Sequence, residues 1–158
     1  MYFWDPVHER QLDVFLDEVE MCHRIDLRNR LDTEEPTLTL ADLLLMKLQI
    51  VETNHKDYLD ILTLLVDQPF DDHTGIDLSY LASLAADDWG LWKTTTTVAQ
   101  RAAEHAAGLG GFSKTDLVRS QVDRYVRALE EVPKTRRWKL RAKIGERKRW
   151  YELPEESH

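Results

Sequence analysis

Several charged side chains lie in stretches that are otherwise apolar, and they give this sequence its candidate chemistry. Asp13 stands inside the stretch LDVFL, and Asp17 follows it four residues later. Lys47 stands among leucines, while Lys56 and Asp57 open the next apolar stretch. If these groups converge, the carboxylates suit a hard metal ion and the lysines suit phosphate groups. The alternative, that each charge lies on a solvated face, stays open at this point.

Lys47 carries the sharpest prediction. A helix through this region places it in the middle of an apolar face made by Leu40, Leu43, Leu44, Leu48 and Val51. A buried ammonium group is costly unless it is paired. We therefore expect either that the stem packs while the head reaches water, or that a carboxylate pairs with the head. Asp13 is the first candidate partner and Asp60 is the second.

The elements that must position these residues are short strands followed by helices. Two helices are predicted between residues 38 and 65, with Thr39 and Asp42 as a capping-box-like start and a polar break at residues 52–55. Before them, β-rich stretches at residues 1–4 and 12–16 predict a hairpin, and residues 21–27 predict a third strand. A lone hairpin is marginal, so these strands need cover from other strands or from a helix.

Further helices are predicted downstream. Asp77 caps a short helix, and a longer one runs from residue 89 to about residue 107. Within it, Thr94–Thr97 is poor helix material, because β-branched side chains lose rotamer freedom in a helix. Ser113 and Asp116 make a capping-box-like start for another helix, which ends near residue 131.

The net charge of −8 hides a strong asymmetry along the chain. The stretch from Lys134 to Arg149 carries nine Lys or Arg residues against one acid, a net +8, which leaves −16 for the rest. Its alternation suggests a strand, but its residue types favour a helix, and we favour a helix that ends at Gly145. The stretch either docks on the acidic body or contacts an anionic partner such as nucleic acid. We favour docking, because Trp138 and Trp150 are costly to expose, and we expect a docked segment to add nothing to nucleic-acid affinity.

Together these elements predict an α+β protein, with a short antiparallel β element followed by a helical domain of five or six helices. We divide the chain into a β-rich part at residues 1–36, a helical domain at 37–132 and a basic, Trp-containing C-terminal segment at 133–158.

Composition and motifs argue against several classes of function. The six histidines show no metal-ligand spacing, so a zinc site is not expected. The single cysteine, Cys22, cannot form an internal disulfide, no apolar run reaches the length of a membrane span, and no secretory signal opens the chain. We therefore expect a cytoplasmic protein without a membrane partner. The sequence contains no Walker loop, GxSxG or GxGxxG motif.

Three stretches carry a resemblance to a known family: QLDVFLDEVEMCHRIDL, LTLADLLLMKLQIVETNHKDYLDILTLL and RWKLRAKIGERKRWYELPEE. They resemble the later part of bacterial nucleotidyltransferase-like proteins, which are related to the minimal and abortive-infection-type nucleotidyltransferases. In such enzymes a Gly-Ser turn and an Asp-x-Asp pair on two early strands supply two metal ligands. A carboxylate on a later strand completes the site. The resemblance implies that the β element here is a remnant of that sheet.

The resemblance also implies roles for individual residues. The stretch LDVFL resembles the later strand, which makes Asp13 the third carboxylate, a catalytic and metal-binding residue. The helix pair resembles the family's lysine-containing segment, which implies nucleotide-binding or structural roles for Lys47, Lys56 and Asp57. A nucleotide is then the implied ligand, and a complete homologue would use Mg²⁺. The head of Lys47 is expected to point toward Asp13.

The chain departs from the family pattern at its start. The Gly-Ser and Asp-x-Asp elements lie upstream of the matched part, and the sequence contains no other such pair. One carboxylate cannot support two-metal phosphoryl transfer, so we expect a nucleotidyltransferase-like protein that is catalytically incomplete as this chain, with no tightly bound cofactor. The alternative is a non-enzymatic interaction module that binds a partner protein or, weakly, nucleic acid. A sheet edge bared by the missing strands would favour a homodimer.

Overall fold

The computed structural model describes residues 2–30 and 37–153, and of Tyr2 and Asp13 it describes the backbone alone. The strands are β1 (Tyr2–Asp5), β2 (Arg10–Asp13), β3 (Glu18–Glu20) and β4 (Arg24–Asp26). The helices are α1 (Leu40–Leu48), α2 (His55–Asp67), α3 (Leu78–Asp87), α4 (Trp89–Gly108), α5 (Thr115–Glu131) and α6 (Arg136–Ile144). This order confirms the predicted α+β class. The predictions for residues 31–36 and 154–158 lie outside the described residues.

The four strands form two separate antiparallel hairpins rather than parts of one sheet. In the first, β1 pairs with β2, as predicted, although β2 begins earlier and ends at Asp13 instead of running to residue 16. The predicted third strand over residues 21–27 is wrong, since β3 and β4 make a second hairpin around a turn at 21–23. The physical reason is burial. Val19 lies opposite Ile25, and both side chains join the hydrophobic core.

The β1–β2 hairpin stands apart from the rest of the described chain. Its strands pair with each other and contact no other described strand or helix. Phe3, Trp4 and Leu12 are each more than half exposed, and Phe15 and Leu16 after β2 are exposed as well. A two-stranded hairpin with uncovered apolar side chains is marginal by itself, so this element needs a partner surface.

Helix α4 lies at the centre of the helical body, in contact with the other five helices. The stripe predicted on α5 is confirmed, because Val118, Val122, Tyr125 and Leu129 are all buried. The threonine run of α4 is helical although it was predicted to be poor helix material. Its hydroxyl groups turn back on the helix, with Thr96 donating to the carbonyl of Trp92 and Thr97 to that of Lys93, both at 2.7 Å. These bonds satisfy polar groups in a packed environment.

The helix ends test the capping predictions. Thr39 and Asp77 accept hydrogen bonds from the backbone in the first turns of α1 and α3, as predicted. The capping-box start at Ser113 is wrong, because α5 begins at Thr115 and Lys114 gives it no side-chain cap. Ser113 lies in the turn before the helix, where the amide of Phe112 donates to the carbonyl of Leu109. The helical reading of the C-terminal segment is confirmed.

Candidate functional site

Lys47 pairs with carboxylates, but these belong to α2. Its Nζ lies 2.8 Å from Oδ2 of Asp60 and 3.1 Å from Oδ1 of Asp57. The side chain is 31% exposed, so the stem is largely covered while the head stays near water. Burial lowers the pKa of Lys47, and its hydrogen bonds to Asp60 and Asp57 raise it further, so the pKa lies above its ordinary value. The prediction of a carboxylate partner is confirmed for Asp60.

Asp57 has a second task at the start of α2. Its Oδ2 accepts a hydrogen bond from the amide of Asn54, while the Asn54 side chain accepts one from the amide of Asp57, which makes a complete capping box. One buried carboxylate therefore begins α2 and ties it to α1 through Lys47. This geometry makes the Lys47 group a structural junction between two helices.

The other predicted site residues do not join Lys47. Asp13 ends β2, opposite Tyr2, and β2 contacts no helix, while the side chain of Asp13 lies outside the described residues. Lys56 is exposed on α2 and makes no ion pair within the described chain. Asp17 lies after β2 instead of on it, so its predicted place on a strand face is wrong. The strand and the helix pair do not converge because the first hairpin stands apart from the helical body.

A second buried ion pair was not predicted. Arg30 Nη2 lies 3.0 Å from Oδ2 of Asp42, which is only 1% exposed, and Thr39 donates to the same carboxylate at 2.6 Å. The Arg30 guanidinium also lies 3.9 Å above the ring of Tyr80. Burial, and then the charge of Asp42, raise the pKa of Tyr80. An acid inside the apolar run ADLLL was the available signal, since a buried carboxylate requires a cation.

The C-terminal segment docks on the helical body through its tryptophans, as predicted. The ring of Trp138 meets that of Trp92 edge to face at 5.3 Å, and the ring of Trp150 meets that of Trp89 at 5.6 Å. The Trp150 indole also donates to Thr94 Oγ1 at 3.1 Å. A Cβ atom at Gly90 would lie 2.9 Å from the carbonyl oxygen of Trp150, so the returning chain presses directly on the first turn of α4.

Docking does not neutralise the segment, contrary to expectation. The side chains of one set of basic residues are exposed and make no ion pair within the described chain. We call this set the basic surface: Arg136, Lys139, Lys143, Arg147 and Lys148. Arg137 comes only within 3.9 Å of Asp87. The reason is that the aromatic side chains make the contact and leave the cations on the outer side.

A cleft of about 670 Å³ lies where this segment crosses the body. It opens between the β3–β4 hairpin, the first turn of α4 and the returning chain after α6, and we call it the C-terminal cleft. Its lining includes His23, Trp138, Trp150, Arg137 and Lys148. This volume lies within the range of pockets that hold small organic ligands.

Two of the scattered histidines meet across helices. Nδ1 of His55, at the start of α2, lies 2.9 Å from Nε2 of His105 near the end of α4, and the Tyr58 ring stacks on His105. Among residues 2–30 and 37–153 there is no group of three or more His, Cys, Asp or Glu side chains that could hold a metal ion.

Within the described ranges, every helix is too short or too polar to serve as a membrane span. Comparisons with models of protein families, with curated proteins and with solved structures found no match to this chain.

Proposed function

We propose that this protein is a non-enzymatic interaction module that binds single-stranded nucleic acid. The observation that supports this function is the basic surface, a set of exposed, unpaired cations on a segment that the tryptophans hold in place. A fixed basic surface gives phosphate groups an ordered partner without the entropy cost of folding a tail on binding. Aromatic side chains next to cations are the combination by which proteins bind single strands without strong sequence preference.

Salt dependence tests the proposal. Binding of a labelled single-stranded RNA, followed by fluorescence anisotropy between about 50 and 200 mM salt, should weaken steeply, as counterion release requires. The triple substitution Arg136→Gln, Lys139→Gln and Lys143→Gln removes three cations of the basic surface. It should lower the slope of log K against log salt by about 2, since each lost contact to a single strand removes about 0.7.

A charge-matched control separates the basic surface from net charge. Lys56, Arg101 and Lys114 are exposed cations elsewhere on the described body, and their triple change to Gln alters the net charge equally. RNA binding by this control should match the unaltered protein. Equal losses in the two triple variants, or RNA binding without salt dependence, would contradict the proposal.

The nucleotidyltransferase resemblance supports a second proposal, that the chain is a catalytically incomplete nucleotidyltransferase-like protein. Asp13 ends a strand of an antiparallel pair, which is compatible with the place that the resemblance gives to the third carboxylate. Incubation with labelled nucleoside triphosphates and Mg²⁺ or Mn²⁺ should give no transfer to protein, RNA or a small acceptor. Incorporation that disappears in Asp13→Asn would show a working enzyme instead.

Two further parts of the proposal concern surroundings. A second copy of this chain is the partner that we assign to the exposed β1–β2 hairpin, because its apolar side chains and free strand edges are uncovered in the described chain. A reducing, cytoplasmic location is proposed as well, where the buried thiol of Cys22 would remain free.

A further inference from the structure

The C-terminal cleft has a polar group in its wall that the fold leaves unused. His23 is only 9% exposed, and its Nε2 lies 2.8 Å from Thr94 Oγ1. Its Nδ1 makes no hydrogen bond with a described residue, and His23 lines the cleft. A side chain that is about nine-tenths buried normally satisfies both ring nitrogens, so a free one facing a cleft points to a ligand.

The hydrogen bonds of Thr94 indicate which nitrogen of His23 carries the proton. The Trp150 indole can only donate, so Thr94 Oγ1 accepts from it. Within the described chain, His23 Nε2 is the remaining hydrogen-bond partner of the Thr94 hydroxyl, which therefore donates to it. The proton of a neutral His23 is then on Nδ1, and burial supports the neutral form by lowering the pKa of His23. The cleft is thus offered a fixed N–H donor.

The rest of the lining suits a ligand with a planar ring and an anionic group. Trp138, Trp150 and Tyr151 are partly exposed and present aromatic surface. Lys148 and Arg149 have exposed side chains without an ion pair in the described chain, and Arg137 is only loosely paired. The cleft also contains carboxylates, but Asp88 is used as the cap of α4 and Glu20 contacts Arg24. Three cations near one donor outweigh what remains.

We propose that the C-terminal cleft holds the terminal, phosphate-bearing nucleotide of a bound strand, with the base against Trp138, Trp150 or Tyr151 and the phosphate at His23 Nδ1, Arg137 and Lys148. This inference rests on the proposed nucleic-acid binding and adds an end specificity to it. Lys148 belongs both to the basic surface and to the lining of the cleft, so a strand that follows the basic surface reaches the cleft without a break. The volume suits about one nucleotide, and a terminal phosphate carries more charge than an internal one.

Matched oligonucleotides give the direct test. The same short single-stranded RNA is compared with a 5′-phosphate, with a 3′-phosphate and with neither, and one phosphorylated form should bind about tenfold tighter than the unphosphorylated one. Adenosine 5′-monophosphate alone should quench the tryptophan fluorescence in a saturable way, because Trp89, Trp138 and Trp150 line the cleft. Adenosine and inorganic phosphate, added separately, should bind more weakly than the nucleotide.

Three variants locate the effect. His23→Gln keeps a polar group near Thr94 and removes the Nδ1 donor, so it should abolish most of the preference for the phosphorylated strand. Lys148→Gln should reduce the preference about threefold to tenfold. Lys139→Gln lies on the basic surface but outside the cleft, so it should weaken the phosphorylated and unphosphorylated strands equally. The thermal unfolding of each variant reports whether it has folded.

The outcomes separate the two proposals. If all three oligonucleotides bind equally and the monophosphate does not quench, the cleft assignment fails while nucleic-acid binding stands. If no strand binds, both fail. If Lys139→Gln removes the preference as fully as His23→Gln does, the phosphate lies on the basic surface and the cleft assignment is overturned.

Discussion

Asp42 and Asp57 are buried carboxylates, and each is held by a cation from another part of the chain. Lys47 reaches Asp57 from α1, while Arg30 reaches Asp42 from the segment before the masked sequence ends of α1's loop, across the first turn of that helix. Removing one partner of such a pair leaves an uncompensated charge, which costs more than the pair contributes. At the scale of the residue, these contacts are the strongest constraints on the fold.

Lys47→Met keeps the packing of the stem and deletes the charge. It should lower the free energy of unfolding by about 1–2 kcal/mol, between the values of surface and buried pairs, because the head is only partly covered. A double-mutant cycle with Asp60→Asn should show coupling, and one with Asp13→Asn should be additive. Lys56→Met, an exposed change on α2, should be nearly neutral. Coupling to Asp13 would place that carboxylate at the junction after all.

The same variant has a predictable pH dependence. The pKa of Lys47 is raised in the folded state, so its pairing stabilises the fold fully below the ordinary lysine value of 10.5. That contribution is lost as the pH rises through the folded-state pKa. The difference in unfolding free energy between the protein and Lys47→Met should therefore be constant near neutrality and shrink above pH 10.5. A difference that grows with alkaline pH would contradict the pairing.

Arg30→Met should be more damaging, because it strands the buried Asp42. We expect a loss of about 3 kcal/mol in the free energy of unfolding, measured by urea denaturation. Arg28→Met is the matched control: Arg28 pairs with Asp26 at the surface, and such pairs contribute between about 0 and 1 kcal/mol. Similar losses for the two variants would show that Arg30 is not holding a buried charge.

The sequence predicted the pairing of Lys47 but not that of Arg30, and the reason is physical. Lys47 interrupts a long helical stripe, so its need for a partner is visible from spacing alone. Arg30 lies in a polar loop, where an arginine is expected to be solvated. Its contact depends on how the chain before α1 returns to that helix, which no local pattern encodes.

At the scale of the element, the contact between α4 and the returning C-terminal segment is the tightest approach described. Gly90→Ala adds a methyl group 2.9 Å from the Trp150 carbonyl, so the segment or the helix must move. We expect a loss of about 1–3 kcal/mol, despite the better helix propensity of alanine, together with a change in tryptophan fluorescence. Gly108→Ala is the control, since nothing lies within 4 Å of its added carbon, and it should be neutral or mildly stabilising. Stabilisation by both changes would mean that the segment does not press on α4.

Elements were predictable where one periodic face met one core. The stripe of α5 and the caps at Thr39 and Asp77 show this. The second hairpin was missed because β3 and β4 have three residues each, too few to display a period. Their pairing depends on placing Val19 and Ile25 in a core built by distant helices, which is a tertiary effect.

At the scale of the whole molecule, the uncovered first hairpin predicts self-association. Sedimentation equilibrium should show a dimer that dissociates on dilution. Changing the cross-strand pair Phe3 and Leu12 to serine should shift the protein to monomer, because their apolar surface would no longer be covered. The same change at Leu59 and Leu117, which are exposed on α2 and α5, should leave the mass unchanged. A monomer at all concentrations would exclude a second copy as the partner.

The backbone amide of Glu152 donates to the carbonyl of Cys22 at 3.1 Å, which joins positions about 130 residues apart. Seen as a matter of timing, the second hairpin leaves the ribosome roughly ten seconds before the residues that cover it are made. Throughout that interval His23 and the first turn of α4 have no C-terminal segment over them. The cleft is therefore the last part of this protein to be assembled, and a ribosome that stalls near the end of the message releases helices that are folded and a cleft that does not yet exist.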